Sequence, residues 1–342
     1  MEQLLTPKKL IARVTLALAV LAAVMFICSL IGTETVSLKA VFTGPGTQAA
    51  PNPDFEIMGF RLSRIILAGL VGAALACAGV VFQVLLRNPL ADPYILGISS
   101  GAGLGAIIAV ISGFNWTLWG RSPIAVFAFA GALGTVWLVW FIGRLTGKFH
   151  VTGLLLAGVV VNAFFSAMMM FLTSIAKSDQ VYATIFWLMG NMMEGDFLVL
   201  WIGAGCVVGG IVALFFISPQ LNALSFGADD ARSMGVNVAR TRTIAFGIAA
   251  GITAVAVSLS GLIGFVGLVV PHGVRLVFGP DHRQLIPLSG ITGAIFLVIA
   301  DTLARIIVAP AQLPVGVVTA IVGGPFFLIL LVKYSKKVSW LK

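Results

Sequence analysis

Apolar residues in this chain run on for about the thickness of a bilayer before a charge interrupts them, and this limits the available folds more than any motif does. From Val14 to Gly32 no charged side chain occurs. Hydrophobic residues make up 59% of the 342 and charged residues 10%, against about 25% charged in a soluble domain. A soluble core cannot hide so much apolar surface, so lipid must be the solvent for most of it. A disordered chain, a disulfide scaffold and a soluble enzyme are excluded. The runs are continuous rather than alternating, which excludes a transmembrane β-barrel. At roughly 20 apolar residues per crossing, the composition supplies about ten helices. The fold class is therefore all-α and polytopic, one transmembrane domain over 1–342 with no soluble module.

The spans read as 11–32, 59–86, 94–112, 122–145, 151–176, 196–217, 240–260, 262–278, 284–306 and 314–333. The eighth is short and contains Pro271, His272 and Arg275, so it reads as a short or half-buried helix. The N-terminal apolar run exceeds the roughly 7–15 residues of a signal peptide, which predicts an uncleaved first helix. Ten spans put both termini on one side. The formal charge of +9 would suggest nucleic acid in a soluble protein. Here it is the basic excess expected of cytoplasmic loops, and no nucleic-acid partner is expected. A cytoplasmic N-terminus puts Lys8, Lys9, Arg13, Arg87, Arg144, Lys148, Arg232, Arg240, Arg242, Arg275, Arg283 and the C-terminal lysines inside. It leaves Lys39, Arg61, Arg64, Arg121, Lys177 and Arg305 outside.

Catalytic chemistry is sparse. Cys28, Cys77 and Cys206 lie inside apolar runs and read as buried free thiols. His150, His272 and His282 are scattered, so no metal site is expected. GRLTGKF at 143–149 has one residue too few between its glycines for a phosphate loop, and Phe where Ser or Thr would hold magnesium. This chain is therefore expected to be no enzyme and to hold no cofactor. Asp301 and Arg305 stand at i, i+4 and can pair on one helix face. A secondary transporter coupled to ions or protons and acting without an ATPase would need intramembrane carboxylates. A membrane-embedded enzyme would need clustered polar residues inside spans. Gly97, Gly101 and Gly105, Gly205 with Gly209, and Gly247 with Gly251 have the spacing of close helix contacts. The stretches from Arg61 and from Arg240 share paired arginines and small residues, which would suit an inverted repeat.

Two segments are more polar than packing requires. In 85–103, Asn88-Pro89 and Asp92-Pro93 break helices and a Gly/Ser-rich helix follows. This reads either as an ordinary hairpin or as a pore constriction. In the internal loop 218–240, Ala228, Asp229, Asp230, Ala231, Arg232, Ser233 and Met234 can form a short helix with acids in its first turn. Gly235 suits its C-terminal cap, and Asn237 can cap the next helix. Such short helices without a core suit a docking surface for a partner.

The motifs RLSR, FQVLLRNPLADPYILGISSGAGLGA, GADDARSMGVNV, GLIGFVGLVVPHGVRLVFGPDHRQLIP, ADTLAR and LPVGVVTAIVGGPFF resemble, in order and over nearly the whole chain, those of permease subunits of type II ATP-binding-cassette importers. That family takes up cobalamin, haem and ferric siderophores. The resemblance implies ten helices per subunit in the bacterial inner membrane and a homodimer with its path at the subunit interface. It further implies two cytoplasmic ATPase subunits that hold ATP and magnesium, and a periplasmic binding protein. Arg61, Arg64 and Arg305 match periplasmic arginines that receive acids of the binding protein, as exposed rim charges. RLSR has Ser63 where Pro is commoner. Asn88 and Leu90 match a cytoplasmic gate. Val151 and Thr152 fall at a second gate, where small hydroxyl residues occur and Val151 differs. Residues 221–239, with Gly227 to Gly235 at their centre, match the helices that couple to the ATPase.

Overall fold

The computed structural model describes residues 6–47, 50–113, 123–145, 151–192 and 197–339. Helix follows helix: α1 (Pro7–Leu30), α2 (Leu38–Val41), α3 (Pro53–Leu85), α4 (Ile98–Ser112), α5 (Pro123–Leu145), α6 (Val151–Ile175) and α7 (Ser178–Leu188). After them come α8 (Phe197–Phe216), α9 (Ser218–Phe226), α10 (Ala228–Ser233), α11 (Val238–Ser260), α12 (Val266–Phe278), α13 (His282–Ile306) and α14 (Val315–Ser339). The only sheet among the described residues is a small hairpin before α3, β1 (Gly46–Thr47) against β2 (Ala50–Pro51).

Among the described residues, seven helices are long and apolar enough to cross a membrane: α1, α3, α5, α6, α8, α11 and α13. α4, α12 and the first part of α14 are shorter apolar helices. Together they match the ten expected apolar segments. The boundaries differ where caps decide them. α3 begins at Pro53 rather than 59, because Asn52 Oδ1 accepts from Phe55 N–H and Pro53 fits the first helical position. α12 begins only at Val266, after a non-helical stretch and a positive φ of 69° at Phe265. Gln180 of α7 donates through Nε2 to the carbonyls of Val110 and Ile111 at the end of α4.

In lipid there is no hydrophobic drive for helices to associate, so close approach of backbones matters. α3 is the centre: most of its apolar stretch is covered by protein, as are those of α11 and α13, whereas none of the apolar stretch of α1 is. A Cβ on Gly72 would strike the carbonyl of Gly293 on α13, and one on Gly79 the carbonyl of Gly267 on α12. Gly101 and Gly105 of α4 likewise touch α5. The other two glycine pairs depart from expectation. Around Gly205, Gly209, Gly247 and Gly251 a Cβ would meet nothing. Cys206, expected to be buried, is exposed beside them, while Cys28 and Cys77 are buried. The reason is shared: an apolar run in a membrane chain is covered by lipid as readily as by protein, and sequence cannot tell these apart.

Candidate functional site

The arginines expected on the outer face converge because α3 and α13 pack along their length. Arg61 and Arg64 stand about one turn apart on α3, Asp301 and Arg305 on α13. Arg64 Nε donates to Asp301 Oδ1 at 2.9 Å and to Oδ2 at 3.1 Å. Arg305 Nε donates to Oδ2 at 3.2 Å. The expected i, i+4 pair is present, but it is part of a triad whose third member comes from 237 residues away in the chain. Arg64 also donates to Gln312 Oε1 at 2.9 Å, and Arg305 to Thr302 Oγ1 at 3.1 Å. Among the described residues, the hydrogen-bond partners of Arg61 are the carbonyls of Ser29 at 3.4 Å and Glu34 at 2.5 Å.

These are not exposed rim charges in the single chain. Arg61 and Arg305 are buried at 7% and 6% exposure, Asp301 is fully buried, and Arg64 is only slightly more open. Asp301 absorbs one positive charge through two ion pairs. Even with Glu34 counted, the cluster keeps more arginines than acids. It surrounds a pocket of about 150 Å³ that Thr33, Ile57 and Phe60 also line.

On the opposite face, Asn88 is exposed and Leu90 half-buried, and Asn88 Oδ1 accepts from Leu90 N–H at 2.9 Å, which closes the turn. Arg87 sits at φ 48° in the same turn. Asp92 caps the following 3₁₀ turn, Pro93–Leu96, accepting from Tyr94 N–H at 2.9 Å. Burial pushes its carboxyl up to about 6, against that hydrogen bond. Tyr94 Oη accepts from Ile263 N–H at 3.0 Å, tying the turn to the non-helical stretch before α12, a link with no sequence signal. Val151 and Thr152 open α6, with side chains outside the described residues. Arg121 and 146–150, including His150, also lie outside the described residues. His272 is buried in α12, and His282 starts α13.

The loop 218–240 folds as two short helices. Gly227, at φ 144°, separates α9 from α10. Asp229 and Asp230 sit in the first turn of α10, and Asp229 pairs with Arg232 at 2.5 Å while both remain largely exposed. Ala231 is the buried anchor. Gly235 N–H bonds to the carbonyl of Arg232 and Val236 N–H to that of Ala231, a Schellman cap. Asn237 Oδ1 accepts from Arg240 N–H at 3.0 Å and caps α11. Phe226 and Met234 present apolar side chains at 72% and 58% exposure. Exposed apolar groups beside mixed charges on a coreless segment are what a protein contact requires.

The fold and these two faces define a multi-pass membrane transport subunit. The FecCD transport family model matches residues 20–333, and the chain belongs to that family, the permeases of type II importers. It is 41% identical to the cobalamin import system permease of Halobacterium salinarum, over 88% of this chain and 80% of the relative. It is 38% identical to the hemin transport system permease of Yersinia pestis, over 82% and 84%. A solved inward-facing conformation of a metal-chelate type ABC transporter superposes with a TM-score of 0.82 at 30% identity, covering 96% of this chain and all of that one.

Proposed function

We propose that this chain is the permease subunit of an ATP-driven importer that passes a metal chelate (cobalamin, haem or a ferric siderophore) from a periplasmic binding protein into the cytoplasm. It works as a homodimer in the inner membrane, with both termini cytoplasmic and two ATP-binding cassette subunits attached. ATP and magnesium are held by those subunits, and this chain carries no cofactor of its own. The observation that carries the reading is the pairing of two unlike faces on one helical body: a net-positive arginine cluster outside and the α9–α10 segment inside.

Acidic lobes of the binding protein dock over Arg61, Arg64 and Arg305. ATP-driven closure of the ATPases moves the coupling residues Gly227 to Gly235, and the gate residues Asn88, Leu90, Val151 and Thr152 open and close the path at the dimer interface. The deciding experiment is uptake by proteoliposomes holding the assembled complex, offered cobalamin, haem, ferric siderophore and molybdate. ATP-dependent entry of one chelate supports the reading; entry of none, or entry driven by an ion gradient without ATPase, overturns it.

A further inference from the structure

Asn222 lies in the middle of α9 and uses both ends of its amide. Its Nδ2 donates to Asp281 Oδ1 at 2.8 Å. Its Oδ1 accepts from His282 N–H at 2.8 Å and lies 2.6 Å from His282 Nδ1. A backbone N–H can only donate and a carboxylate paired with arginine only accepts, so the amide has one possible orientation and His282 Nδ1 carries the proton. Asp281 is also the N-cap of α13, accepting from Arg283 N–H at 3.0 Å and pairing with its guanidinium at 2.6 Å. One side chain of α9 thus grips the head of α13 across 59 residues of sequence. α13 then runs 25 residues, about 37 Å at 1.5 Å per residue, to Asp301 and Arg305 in the outer cluster. Pro287 lies inside α13, and beyond it the backbone is held against α3, where Gly293 meets Gly72.

We infer that Asn222 is the positioning residue that joins the coupling segment to the transmembrane body, by holding α9 on the head of α13 and so linking the cytoplasmic face to the outer cluster. The inference rests on the reading of 218–240 as the ATPase-coupling segment.

The test uses the assembled complex and reads the stimulation of ATP hydrolysis by the binding protein. Asn222→Asp removes the donor and sets a second carboxylate against Asp281. Arg283→Ala is the control: it removes the guanidinium pair to Asp281 and leaves the carboxylate's bonds to Asn222 and to the backbone N–H at the head of α13 in place. In Asn222→Asp the ratio of stimulated to basal hydrolysis, both measured on the same variant complex, should fall about fivefold or more, the scale of a typical coupling energy. Arg283→Ala should keep the wild-type ratio. A ratio unchanged in Asn222→Asp, or equally lost in Arg283→Ala, overturns the inference alone. A wild-type complex that retains no ATPase or shows no stimulation overturns the coupling reading, and the inference with it.

Discussion

The arginine cluster on α3 and α13, proposed to face outward, and the α9–α10 segment, proposed to face the cytoplasm, are both charged, and they handle charge in opposite ways. Outside, Asp301 has no solvent exposure and is shared by two arginines, all three held by packed helices. Inside, Asp229 and Arg232 pair while exposed to water. Breaking a buried pair strands a charge in a low dielectric, whereas an exposed pair contributes little to stability because water screens it and the side chains lose entropy on pairing. The outer face is therefore a rigid template whose charges cannot be removed without cost to the fold. The inner face presents charges and apolar groups that the fold does not need.

The contrast can be broken most directly at Asp301. Asp301→Ala leaves Arg64 and Arg305 unpaired and should destabilise the protein by about 3–5 kcal/mol, read by thermal unfolding in detergent; a change within error would show that the triad is not mutual. Next in size, charge reversal at Arg61 with Arg64 should weaken binding-protein docking about tenfold at low salt and less at high salt, measured by surface binding at two ionic strengths. Because Arg64 already faces Asp301 and Arg61 is buried on the carbonyls of Ser29 and Glu34, part of any loss will come from local disorder, and an unfolding curve of the same variant separates that part from docking.

A smaller effect concerns Asp92. Its pKa is raised, so the stability it lends is present below the unfolded value of about 3.9 and is lost as pH rises through about 6. Asp92→Asn keeps the acceptor for Tyr94 and should flatten the unfolding profile between those two pH values while raising stability at pH 7. The least effect on stability belongs to the inner face. Replacing Asp229, Asp230 and Arg232 together by alanine should shift unfolding by no more than about 0.5 kcal/mol yet abolish ATPase stimulation. A large stability loss there would erase the distinction between the faces. If two copies of this chain pair with Asn88 at a gate between them, as proposed, cysteines placed at residue 88 should crosslink the two copies in at least one nucleotide state.

Much of this architecture is readable in the chain itself. The ten apolar helices follow from run lengths, and the caps at Asn52, Gly235 and Asn237 follow from local chemistry confined to a few residues. The Asp301–Arg305 pair is likewise local, one helical turn. Arg64 as the third member, Asn222 on Asp281, and Tyr94 on Ile263 were not readable, because each joins residues far apart in sequence and no periodicity marks the partner. Burial of Arg61 and Arg305 was missed for the same reason: an arginine at a span end looks exposed until the neighbouring helices are in place.

Run length alone determined that this chain is a membrane body of about ten apolar helices, because lipid imposes one rule on every crossing segment, and charge asymmetry carried the expectation of a basic inner face. The order and chemistry of its motifs carried the family resemblance. Only the tertiary structure decided which glycines touch a neighbour and which face lipid, which arginines share one carboxylate, and which helix joins the two faces. Those outcomes depend on which backbones approach closely enough to exclude everything else, and in a uniformly apolar sequence that choice is made by shape rather than by hydropathy.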